Sequence, residues 1–159
     1  MSSSAETSRP LNLLAAQALV GEVDVDLAVG IASDALVSGA DGPAVVEVAA
    51  LPWGTPWSGA SGAILRMLDE LGIPRPTESE APLEILADIA SRFSAGAITV
   101  PDFNRAFWRL FSRSSDDSLG GIAFRLDEWE ESVGQRRQDL AQVLRREAQD
   151  LAARLLRPP

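Results

Sequence analysis

The stretch GAITVPDFNRAFWRLF, residues 96–111, decides the fold of this chain. It holds Phe103, Phe107, Trp108 and Phe111, four rings of a chain that has only five phenylalanines and four tryptophans. Gly96 is a helix stop, Thr99 a helix N-cap, and Pro101 falls in the first turn, where its missing N–H costs nothing. Phe103, Phe107, Leu110 and Phe111 then recur at i, i+4, i+7 and i+8, the spacing of one helical face. That spacing predicts a core helix rather than an aromatic binding patch. Trp108 lies about 100° from Phe107 around the helix, on the flank, and Asn104, Arg105 and Arg109 take the wet side.

Working outward, the same punctuation recurs. Upstream, Leu83, Leu86, Ile89, Ala90 and Phe93 form a helical stripe that stops at Gly96. Before it, PRPTESEAP (74–82) reads as a solvated Pro/Glu-rich linker. Residues 1–73 form an N-terminal helical half. In it, Pro10 reads as a first-turn proline ahead of the stripe Leu11, Leu14, Ala15, Ala18 and Leu19. A second helix, capped by Asp24 or Asp26, carries Leu27, Ile31, Ala35 and Leu36 and ends near Gly39. A third opens at Asp41-Gly42-Pro43, and a fourth spans Ala63 to Leu71. Between these last two, LPWGTPWSGASG (51–62) is a loop that offers Trp53 and Trp57 either to a partner or to the core, the core being preferred.

Downstream of the opening stretch, SRSSDDSLGG (112–121) is a polar break leading to a short helix around Ile122, Phe124 and Leu126. The longest helix follows, from about Gln135 to Leu156. It places Leu140, Val143, Leu144, Ala148, Leu151 and Leu155 on one side and alternating charges on the other. No strand pattern emerges. The expected fold is all-α, seven to eight helices in two halves, 1–73 and 83–159, joined by 74–82. The segments 13–28 and 85–103 share an order of helix, Gly, one residue, β-branched residue, cap and helix. Repeated use of one helix-turn-helix grammar explains this better than duplication.

Composition agrees with helices. Apolar residues make up 46% of 159, and aromatics only 6%, so Ala, Leu and Val must fill the core; a β-sandwich would want more β-branched and aromatic residues. The formal charge of −9 argues against nucleic acid and anionic membranes, which need clustered positive charge. It leaves two readings, a merely soluble surface or one that steers toward a basic partner. The charge is uneven: residues 1–50 carry seven acids and one base, residues 127–159 seven acids and six arginines. The first residues lack a basic segment followed by a long apolar one, so neither a secretory signal nor a membrane span is expected, and a cytoplasmic location is.

The inventory is poor for catalysis. All 14 basic residues are arginine, and His, Cys and Tyr are absent. There is thus no imidazole proton shuttle, thiol nucleophile, Schiff-base lysine or His/Cys zinc site. Neither GADGP nor SGASG is followed by the Lys-Ser/Thr of a phosphate loop. Carboxylates remain, above all DEWEE (127–131), where Asp127, Glu128, Glu130 and Glu131 crowd five positions. A helical di-metal site would pair such a Glu with a His, so a solvated acidic helix end is the plainer reading. No enzyme activity, cofactor or metal is expected.

LADIASRFSAGAITVPDFNRAFWRLF (86–111), an acidic break, IAFRLDEWEE (122–131) and a closing charged helix together resemble the colicin D-type immunity proteins over residues 83–156. The resemblance implies a small acidic helical inhibitor that covers the basic cleft of a nuclease toxin made by the same cell. On this reading Asp116, Asp117, Asp127, Glu128, Glu130 and Glu131 meet the toxin, with Trp108 and Trp129 as aromatic anchors. The alternative is a helical adaptor or assembly subunit that binds through Trp53 and Trp57.

Overall fold

The computed structural model describes residues 3–156, with side chains from residue 8 onward. The outermost ends of the two expected halves, 1–2 and 157–159, lie outside the described residues. Among the described residues the chain is all-α: α1 (Ser3–Val20), α2 (Val25–Val37), α3 (Pro43–Ala49), α4 (Trp57–Glu70), α5 (Ala81–Ser94), α6 (Val100–Phe111), a 3-10 turn (Asp117–Leu119), α7 (Gly120–Glu131) and α8 (Gly134–Leu155). The chain divides into two compact units, with the break between Ala81 and Pro82. No described helix is long and apolar enough to cross a membrane.

Helix stops follow one rule. Gly21, Gly39, Gly72 and Gly96 all take positive φ, a conformation that costs glycine little. At each, the next residue's N–H reaches back five positions: Glu22 to Gln17, Ala40 to Ala35, Ile73 to Leu68 and Ala97 to Arg92, at 2.9–3.0 Å. The likeness between 13–28 and 85–103 is therefore one helix-ending device, used four times.

Starts were harder to read. Asp24 caps α2 by accepting from the Leu27 N–H, and Thr99 forms a full capping box with Asp102 on α6. Pro10, however, lies inside α1 and not in its first turn. α4 begins at Trp57, six residues before the expected Ala63, because Trp57 packs on the core and Ala60 is wholly buried there. Inside the expected linker, Thr77 and Glu80 close a capping-box turn. The Thr77 N–H and hydroxyl both donate to Glu80 Oε2 at 2.8 Å, which holds that carboxyl below its usual range, the backbone bond first.

In the first unit, α3 packs against α2 and α4, and α1 against α4. Leu14, Ile64, Met67 and Leu68 fill the centre among Ala15, Ala28, Ala32, Ala44 and Ala60. The buried face of α2 is Val25, Ala28 and Ala32, a shift from the expected stripe. Leu27 is 40% exposed, while Ile31, Ala35 and Leu36 are partly buried. Small alanines let α2 lie close to its neighbours, and that proximity outweighs the burial of a larger leucine. In the second unit, Phe93 and Phe103 stack at 4.4 Å, and Phe107 lies between Phe103 at 6.0 Å and Phe111 at 5.4 Å. Phe93, Phe103 and Phe107 are wholly buried and Phe111 partly so. α7 lays Ile122, Ala123, Leu126 and Trp129 inward and packs on α8, whose buried side is Leu140, Leu144, Ala148 and Leu151. Phe124, expected on the apolar face, is 64% exposed, because α7 buries 122, 123, 126 and 129 instead.

Candidate binding surface

The expected partner-binding residues all fall in the second unit, and the structure sorts them into three groups. The first is a groove of about 720 Å³ between α6, the end of α7 and the start of α8. Trp108, Trp129 and Glu130 line it together with Pro101, Asn104, Arg105 and Arg137. Trp108 sits half-buried on the flank of α6, its edge against Phe107 and Phe111 at 5.6 and 5.5 Å. Trp129 is only 8% exposed, and the Arg137 guanidinium covers its ring at 4.0 Å from the centroid. Asn104, 9% exposed, donates from Nδ2 to Glu130 Oε1 at 2.6 Å, while its Oδ1 has no protein partner.

The second group is consumed internally. Glu128 accepts from Arg136 at 2.6 Å and from Arg125 at 3.2 Å, and Arg125 also reaches Glu147 at 3.4 Å. The Arg136 hydrogen bond, followed by that of Arg125, holds the Glu128 carboxyl below its usual range. Asp116 caps the 3-10 turn through the Ser118 N–H at 2.9 Å and the Ser118 hydroxyl, which chiefly lowers its pKa.

The third group faces solvent. Asp127, Glu130 and Glu131 are exposed and fall at i, i+3 and i+4, on one side of α7. Among the described residues none of the three pairs with an arginine. Asp117 is exposed as well. Among the described residues no three Asp or Glu side chains converge as a metal-binding group.

Depressed carboxyl pKa values have a defined consequence for stability. Glu128, Asp116 and Asp102 bind protons less readily folded than unfolded. Their contribution is present above the ordinary carboxylate range and is lost as pH falls through their folded values. Urea titrations at a series of acidic pH values should show stability falling on acidification, with a shallower fall in Glu128→Gln. An unchanged slope in that variant would mean that the Arg125–Glu128–Arg136 network carries no stability.

Charge is partitioned in a way the motifs did not reveal. Residues 1–81 contain three arginines and eleven acids, whereas residues 82–159 contain eleven arginines and twelve acids. Nearly all of the net negative charge thus belongs to the first unit. The two loop tryptophans part company there: Trp57 packs against the core, and Trp53 is 80% exposed. No family model, curated protein or solved structure matches the chain.

Proposed function

We propose that the chain is a non-catalytic acidic helical protein that binds a basic protein partner, in the manner of an immunity protein that inhibits a nuclease toxin. The observation that carries this reading is the row Asp127, Glu130 and Glu131. Among the described residues none of these exposed carboxylates has an arginine partner, in a unit rich in arginine. Where the fold needs charge neutralised, it supplies guanidinium groups, as Glu128 shows. Leaving Asp127 and Glu131 in water, and Glu130 with only the neutral Asn104 amide as partner, keeps their field available to an approaching cationic surface. Trp108, which lines the groove with Glu130, offers apolar area that a partner can bury.

Affinity capture from the source organism, followed by binding kinetics, tests the reading. A basic partner is expected, with association slowing steeply as salt rises, since exposed charges are screened beyond about 8 Å at physiological ionic strength. The combined variant Asp127→Asn, Glu130→Gln and Glu131→Gln should lower the on-rate about tenfold at low salt and leave the off-rate within about twofold. Capture of an acidic partner, or an on-rate indifferent to salt, would refute the proposal.

A further inference from the structure

We infer that the Trp53 loop of the first unit is a separate docking site for an arginine-bearing segment of a partner protein, with Trp53 as its anchor. Trp53 is 80% exposed, although a tryptophan has more apolar area to hide than any other side chain. The loop that carries it is braced rather than loose. The Gly54 N–H donates to Asp26 Oδ1 at 3.0 Å. The Thr55 N–H and hydroxyl both donate to the Pro52 carbonyl, at 3.2 and 2.6 Å. Gly54 takes φ +76°, a turn conformation that side-chain-bearing residues rarely adopt. Three residues after Gly54, Trp57 packs against the core at the start of α4.

A ring held outward by a fixed loop has little left to lose in ordering when it is covered, which is what a binding anchor requires. Charge decides the occupant. The loop is tied to the first turn of α2, whose start carries Asp24 and Asp26, in a unit with three arginines against eleven acids. An anionic membrane or nucleic acid is repelled by such a surface. A guanidinium is favoured twice over, since it stacks on the indole face and is drawn by the surrounding carboxylates. This site lies on the loop between α3 and α4, braced by the start of α2, and uses none of the α7 carboxylates.

Titration calorimetry of the whole chain with a synthetic peptide of alternating arginine and leucine tests the inference. Binding is expected, with Trp53→Ala weakening it at least about tenfold and Trp53→Phe retaining part of it. Tryptophan emission should shift to the blue on binding, and the shift should vanish in Trp53→Ala. The loss caused by Trp53→Ala should be the same with Asp127, Glu130 and Glu131 substituted as with them intact, which separates the site from the proposed α7 face. No binding, equal affinity in Trp53→Ala, or equal affinity for the same peptide with glutamate in place of arginine would each overturn the inference. So would a Trp53-dependent dimer in sedimentation without peptide, since the occupant would then be a second copy of the chain.

Discussion

Phe107→Ala should cost about 3 to 5 kcal/mol of folding free energy, the range for truncating a buried phenylalanine. Phe107 is wholly buried and touches more rings than any other residue of its unit. Phe111 stacks on it at 5.4 Å and 18°, Trp108 meets it edge-on at 5.6 Å, and Phe103 tilts against it at 6.0 Å. Removing the ring opens a void that these rigid neighbours cannot collapse into without leaving their own rotamers. The loss should therefore lie toward the upper part of that range. Phe107→Leu keeps most of the volume and should cost much less, roughly 1 to 1.5 kcal/mol. Denaturant titrations of the three proteins check this. A loss below about 1 kcal/mol in Phe107→Ala would mean that the ring is not part of the core.

Gly42→Ala should cost about 1 to 2 kcal/mol, although residue 42 has an ordinary extended conformation with φ −60° and ψ 142°. The reason is a carboxylate from another helix. Glu70, the last residue of α4, places Oε2 against the exposed start of α3, accepting from the Ala44 N–H at 2.9 Å and the Val45 N–H at 3.4 Å. It thereby satisfies donors that Gly42, as N-cap, has no side chain to reach, and sets a negative charge at the positive end of the helix. A Cβ at position 42 would collide with that oxygen, so the flexible Glu70 side chain has to shift and its bonds to the Ala44 and Val45 N–H groups are weakened. Glu70→Ala should cost a similar amount, and the double variant little more than either single one, because both act on the same bonds. Gly42→Asp should be nearly neutral, since its own carboxylate can replace that of Glu70. Additive losses in the double variant would show that Glu70 does not cap α3.

The sequence by itself determined the all-α class, most helix ends and the burial of Phe93, Phe103 and Phe107. These follow from local physics: glycine at a positive φ, a hydroxyl or carboxylate at an N-cap, and a side chain every 100° around a helix. The Thr77–Glu80 capping box was legible by the same rule, but three prolines nearby made it read as linker. Composition also bounded the surface chemistry, since a chain without His, Cys, Tyr or Lys has few groups to activate.

Only the tertiary structure decided which charged and aromatic groups are spent and which remain available. Within DEWEE, Glu128 is taken by Arg136 and Arg125 while Asp127 and Glu131 stay in water. Trp129 lies beneath Arg137, Trp57 packs on the core, and Trp53 stands clear of it. Spacing along a helix sets the angle at which a side chain leaves its axis. It does not say which neighbouring helix lies at that angle, or whether water does. The pairing of Glu70 with the start of α3, some 25 residues away, exists only once α3 and α4 have packed. Local propensities write the helices, and the packing of their faces assigns each carboxylate and each ring its partner.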